Sequence, residues 1–169
     1  MPKSYVAFKW AVYALATLFL FAVQSLVLNH IRVLGVTPFL YPILPAVAAM
    51  YEGSRKGPVF ALVLGLVCDL LLYGPFEGFF TIAFVITALL ASRIAENLLS
   101  PGFFSGLFIS FGALLLTSGL RVFIQICTGG AHVRLMAWTA LAESVLSLPA
   151  AVLVLPLYRA IHRRCAVDY

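Results

Sequence analysis

The sequence predicts an all-α membrane protein with six transmembrane helices and both chain ends in the cytoplasm. The first observation behind this prediction is composition. Of the 169 residues, 63% are hydrophobic and 10% are charged, and the mean hydropathy is +1.08. A soluble domain is roughly 45–50% apolar and about 25% charged. A particle of this size has too much surface to hide so many apolar side chains inside, so its exterior must face lipid.

The second observation is the spacing of apolar runs, which predicts a single six-span domain over residues 1–169. A membrane span needs about 20 mostly apolar residues, and polar residues, glycine or proline separate the runs. The predicted spans are Trp10–Leu28, Val36–Tyr51, Pro58–Tyr73, Phe79–Ala95, Phe103–Ile126 and Leu135–Tyr158. A polar hairpin, Glu52–Gly57, is expected between the second and third spans.

The third observation is the distribution of basic residues, which predicts the orientation. One set of span flanks carries Lys3, Lys9, Arg55, Lys56, Arg93, Arg159, Arg163 and Arg164, and the other carries Arg32 and Arg134. An excess of Lys and Arg marks the cytoplasmic side of a membrane. The net charge of +5 is therefore explained by orientation in a lipid bilayer, and no nucleic-acid partner is expected.

The second span is short and rich in proline. Pro38, Pro42 and Pro45 lie within it, and each removes a helical hydrogen bond. At about 1.5 Å per residue the span reaches only about 24 Å, less than the roughly 30 Å hydrocarbon core. We expect it to be kinked or partly re-entrant. It is either a broken helix that lines a site, as in transporters, or a merely bent span, which we favour.

Three ionisable residues lie inside predicted spans: Asp69, Arg121 and Glu143. An unpaired charge in hydrocarbon costs several kcal/mol, so such residues pair or face a cavity. Counted at about 1.5 Å per residue, all three lie roughly 6–12 Å below the outer boundary. We expect Arg121 to be the counter-ion of Asp69, of Glu143 or of both. The cluster either holds the bundle together, which we favour, or lines a small polar cavity open to the outside.

Gly102, Gly106 and Ser110 recur every four residues at the start of the fifth span. Small residues collect where helices pack closely in lipid. The series predicts a helix-packing face, within the bundle or in a homodimer or with a partner helix.

No catalytic, cofactor or metal site is expected. The sequence has no H-E-x-x-H motif and no glycine loop of the kind that binds phosphate, and no set of catalytic groups is recognised in it. The three histidines and three cysteines are scattered, without the spacing of metal ligands or of a disulfide framework. The sequence therefore predicts a non-enzymatic protein.

The order of these parts resembles a known family. The resemblance is carried by Gly65-x-x-x-Asp69, an outer turn that ends at Gly78, an Ala/Leu-rich span that ends in Arg93, and a last span with Pro149 before the basic tail. From about Ile43 to the end, the chain resembles the rod-shape-determining membrane protein MreD. The spacing from Asp69 to Gly78 is one residue longer than is usual in that family, and span two has more proline.

This resemblance implies a scaffold of the bacterial cell-elongation machinery in the cytoplasmic (inner) membrane. Such proteins bind MreC, a bitopic protein with a large periplasmic part, and help couple MreB filaments to peptidoglycan synthases. Gly65, Asp69 and Gly78 are the family-matching positions. The family is similar in architecture to the substrate-binding subunits of energy-coupling-factor vitamin transporters, and such a subunit is the alternative function.

Overall fold

The computed structural model describes residues 3–30, 36–97, 102–129 and 133–165. Within these ranges the chain forms α1 (Lys3–Leu26), α2 (Ile43–Leu71), α3 (Phe79–Asn97), α4 (Phe103–Cys127) and α5 (Val133–Cys165), with a 3₁₀ turn at Leu28–His30. Four stretches of the described residues are long and apolar enough to cross a membrane: Phe8–Leu26, Phe79–Asn97, Phe103–Cys127 and Arg134–Arg163. The predicted all-α membrane class is confirmed.

The helix α2 folds back on itself at Gly53, which has φ 76° and ψ −179°. A Cβ atom on Gly57 would lie 2.5 Å from the Cα of Ala49, although eight residues of a straight helix span about 12 Å. The helix therefore has two antiparallel arms, residues 43–52 and 54–71. The sequence predicted a polar hairpin over Glu52–Gly57, but the reversal takes place at one residue, because glycine adopts a positive φ without strain.

The first arm of α2 lies at the centre of the bundle. Every residue from 40 to 50 is buried, whereas α1 and the second arm expose large apolar side chains such as Leu15, Leu18 and Leu70. A helix that is apolar on all sides is expected to be surrounded by protein. The other helices thus pack around the first arm and present their own apolar faces to lipid.

Residues 36–42, just before the first arm, are not helical. The side-chain amide of Gln24 donates to the carbonyl of Pro38 and accepts from the N–H of Leu40, each at 2.9 Å. The N–H of Phe39 donates to the hydroxyl of Ser147 at 2.7 Å. Irregular backbone at membrane depth needs such partners within the protein. The bent-helix interpretation of span two, which we favoured, is therefore wrong: the helix begins only at Ile43.

The bundle has two ends that can be told apart by their contacts. At the first, called the elbow end, the bend of α2 contacts the start of α1 through Lys9, the end of α5 through His162 and the end of α3 through a hydrogen bond from the N–H of Ser54 to Glu96 at 2.8 Å. At the opposite end, called the far end, α2 stops and α3 begins. Arg32 and the side chains of Lys3 and Arg164 lie outside the described residues.

Candidate functional site

The carboxylate of Asp69 caps the first turn of α3. Its Oδ1 accepts from the N–H of Phe80 at 2.9 Å, and its Oδ2 accepts from the N–H and the hydroxyl of Thr81 at 2.9 and 2.5 Å. The first N–H groups of a helix have no partner within the helix, and the helix dipole favours a negative charge there. The acid in predicted span three is therefore hydrogen-bonded to the start of the next helix, through two backbone N–H groups and one hydroxyl.

Gly65 and Gly78 complete the junction of α2 with α3. A Cβ atom on Gly65 would lie 2.5 Å from the Cα of Thr81, so the two backbones touch at this point. Gly78 has φ 87°, a conformation that L side chains rarely adopt, and it directly precedes α3. Gly65, Asp69 and Gly78 thus belong to one structural unit, the close crossing of α2 and α3, which we call the α2–α3 junction.

Arg121 pairs with Glu143 and not with Asp69. The Nη1 atom of Arg121 lies 3.5 Å from Oε2 of Glu143, and the guanidinium stands over the ring of Phe39 at 5.2 Å from its centroid. Among the described residues Asp69 has no ion pair with Arg121, since its oxygens are directed at the start of α3. The three-residue cluster expected from the sequence is therefore two separate interactions at the far end.

A pocket of about 370 Å³ lies beside Arg121. It is bounded by α4, by the turn after α2 and by the aromatic residues Phe39 and Phe80. The lining residues are Phe39, Leu72, Tyr73, Gly74, Pro75, Phe80, Arg121 and Gln125. We call it the far-end pocket. Its charged side chain, Arg121, and its amide side chain, Gln125, come from α4, and Asp69 and Glu143 are not part of its lining.

The glycine series at the start of α4 packs within the chain. A Cβ atom on Gly106 would lie 2.1 Å from Cδ2 of Leu155 in α5. Leu155 therefore packs in the space that the missing side chain leaves. Ser110 is fully buried, and its hydroxyl donates to the carbonyl of Gly106 at 2.7 Å. Gly102 precedes the helix and is half-buried. Gly106 and Ser110 are thus turned toward the bundle interior.

A second polar cluster, at the elbow end, was not foreseen from the sequence. The side chain of Glu52 is only 4% exposed and lies 2.7 Å from Nζ of Lys9. It also accepts from the hydroxyl of Tyr13 at 3.0 Å and lies 3.3 Å from Nδ1 of His162. This carboxylate joins α1, α2 and α5 at one point, and we call the four residues the Glu52 cluster.

The partners of Glu52 keep it ionised. Burial alone raises the pKa of this carboxyl, but the hydrogen bonds from His162, Lys9 and Tyr13 together with the charge of Lys9 outweigh burial. The pKa of Glu52 is lowered from 4.5 to about 2. A sequence signal did exist: the predicted topology places Lys9, Glu52 and His162 on the same side of the membrane, and Glu52 is an acid among basic neighbours.

Comparison with protein-family models, with curated proteins and with solved structures found no match. Within the described ranges no three His, Cys, Asp or Glu side chains come together as metal ligands do. The described residues thus form the α2–α3 junction, the buried Glu52 cluster and the far-end pocket with its cationic wall. Each of these positions helices or offers hydrogen-bond donors.

Proposed function

We propose that this chain is a non-enzymatic membrane scaffold of the MreD type. In this proposal it binds an MreC-like bitopic protein and helps link MreB filaments to peptidoglycan synthesis and rod shape. The observation that carries the proposal is the α2–α3 junction. The positions that match the family pattern, Gly65, Asp69 and Gly78, are the ones that bring α2 and α3 into backbone contact, a structural use that suits a scaffold.

The proposed topology has six membrane crossings with both chain ends in the cytoplasm of a bacterium, in the inner membrane. Four long apolar helices and the two antiparallel arms of α2 supply the crossings. The elbow end gathers the start of α1 and the ends of α3 and α5, and these carry Lys9, Arg93, Arg159 and Arg163. A concentration of basic residues on one side supports a cytoplasmic elbow end.

Co-purification tests the function. The tagged full chain is co-expressed with MreB, an MreC-like protein and the ATPase subunits of an energy-coupling-factor transporter, and the membranes are solubilised in mild detergent. We expect the MreC-like protein to be retained and the ATPase subunits to be washed away. A matched control is an unrelated six-span protein with the same tag. Retention of the ATPase subunits without the MreC-like protein contradicts the scaffold proposal.

The second candidate is a substrate-binding subunit of an energy-coupling-factor vitamin transporter. The far-end pocket favours it, because a volume of about 370 Å³ is within the usual range for small-molecule sites, roughly 300–1,000 Å³. Mass spectrometry of the purified protein decides this point. A vitamin released on denaturation, together with retained ATPase subunits, establishes the transporter subunit. If protein purified in saturating vitamin releases none on denaturation, the transporter candidate is excluded and the scaffold proposal stands.

A further inference from the structure

The residues that line the far-end pocket carry several hydrogen-bond donors that no group in the described part of the chain uses. Arg121 has five N–H donors, and its only hydrogen-bond partner among the described residues is Glu143 at 3.5 Å. The side-chain amide of Gln125 makes no hydrogen bond in the described part of the chain. The backbone N–H groups of Tyr73 and Gly74 likewise donate to no backbone acceptor there. The pocket wall therefore offers donors and one positive charge, which select an anion.

The pocket lies near the far end of the bundle, where a long arginine side chain can extend toward the lipid headgroups. Arg121 is six residues before the end of α4 at Cys127, which is about 9 Å along a helix. Immediately before the pocket turn, Leu70 and Leu71 of α2 are 86% and 63% exposed. These two leucines directly precede Leu72, which lines the pocket, so an anion held here can place an apolar part along them. The ligand that satisfies both surfaces is amphiphilic.

The guanidinium of Arg121 indicates which kind of anion the pocket binds. A guanidinium presents a planar fork of N–H groups that matches phosphate oxygens, and such charge-assisted hydrogen bonds are the strong ones. Arg121 is 30% exposed on its side chain, so its unused N–H groups can be reached. The aromatic ring of Phe39 behind it fixes the guanidinium by a cation–π contact.

From these observations we infer that the far-end pocket binds the phosphate of a membrane phospholipid, with Arg121 and Gln125 on the phosphate and the acyl chains along Leu70 and Leu71. Glu143 competes with the phosphate for Arg121. The inference does not rest on the proposed scaffold function. It applies equally to any membrane protein with this pocket.

The experiment is native mass spectrometry of the detergent-purified full chain titrated with phosphatidylglycerol. Arg121→Gln is expected to weaken lipid binding about tenfold, as loss of one or two charge-assisted hydrogen bonds predicts. Glu143→Gln is expected to tighten binding, because the phosphate no longer shares Arg121 with a carboxylate. Arg134→Gln removes a charge from the start of α5, outside the pocket, and is expected to leave binding unchanged.

Two further ligands separate the sources of the phosphate. Dioleoylglycerol, which has the same acyl chains and no phosphate, is expected to bind weakly and equally to the wild type and to Arg121→Gln. Inorganic phosphate alone is expected not to displace the phospholipid. Full displacement by inorganic phosphate overturns the lipid assignment. If Glu143→Gln weakens binding as Arg121→Gln does, or if Arg121→Gln leaves binding unchanged, the site itself is refuted.

Discussion

The carboxylate of Asp69 accepts the backbone N–H of Thr81 at 2.9 Å, so the end of α2 caps the start of α3. Losing a helix cap costs about 0.5–2 kcal/mol. Asp69→Asn keeps one acceptor oxygen and loses the charge, and we expect it to lower the free energy of unfolding by about 1–2 kcal/mol. Thermal unfolding in detergent measures this. Glu77→Gln, which changes an exposed acid in the adjacent turn, should be neutral.

The close approach of α2 to α3 predicts a large effect of one methyl group at Gly65. A Cβ atom there would lie 2.5 Å from a backbone atom of Thr81, so Gly65→Ala must push the helices apart. Overpacking of this kind costs typically about 1–3 kcal/mol. The matched control is Gly112→Ala in α4, whose Cβ meets nothing within 4 Å. It should be neutral or stabilise the protein by up to about 1 kcal/mol through helix propensity. Equal thermal stability of the two variants contradicts the described junction.

Two double-mutant cycles distinguish the partners of Arg121. The stability effects of Asp69→Asn and Arg121→Gln are expected to add within about 0.5 kcal/mol, as for residues without a shared partner. The effects of Arg121→Gln and Glu143→Gln should not add, because these side chains are 3.5 Å apart. Chemical unfolding of the wild type, the three single variants and the two double variants in detergent gives both coupling energies. A coupling confined to the Asp69 cycle reverses the assignment.

The Glu52 cluster predicts a loss of stability in acid. The pKa of Glu52 is lowered from 4.5 to about 2 in the folded protein. The stabilisation is therefore fully present above the unfolded value of 4.5 and is lost as the pH falls toward 2.

Glu52→Gln removes this titration. At neutral pH it should unfold more easily than the wild type, by on the order of 2 kcal/mol, and the gap should narrow on acidification. Melting temperatures of both proteins across the acid range measure it. A gap that stays constant with pH would show that Glu52 does not titrate as described.

Gln24 predicts the stability of the non-helical segment. Gln24→Leu keeps the size of the side chain but leaves the carbonyl of Pro38 and the N–H of Leu40 without their partner. An unsatisfied buried polar group costs about 1–3 kcal/mol, so we expect a loss of roughly 2–5 kcal/mol in unfolding free energy. Gln125→Leu, which changes an amide that has no protein partner in the described chain, is the control and should change stability little.

The sequence predicted the all-α class and four of the long apolar helices, because apolar runs in a membrane leave few alternatives. It also indicated that Asp69 needs a partner. It could not identify that partner, because two of the three donors to Asp69 are backbone N–H groups, those of Phe80 and Thr81. Every helix start offers such donors, so composition does not mark one of them. Only the approach permitted at Gly65 selects the start of α3.

The non-helical segment before Ile43 shows a different limit. Three prolines signalled that span two was not an ordinary helix, yet a bent helix and an interrupted one have the same composition. What decides between them is an amide on another helix: Gln24 supplies the donor and the acceptor that the segment lacks. Gln24 was the available signal, an uncharged polar residue inside the first apolar run.

The first arm of α2 cannot enter a bilayer as an independently stable span. Its residues, 43–52, rise only about 15 Å, half of the roughly 30 Å hydrocarbon core, and its residues 43–50 are all buried within the protein. Helices that insert singly associate afterwards, but this arm has no stable stage before association. The two arms of α2 must therefore insert together, and the first arm becomes fully packed only after α4 and α5 have been translated. The most deeply buried helical segment is therefore made second, and part of its protein environment is made last.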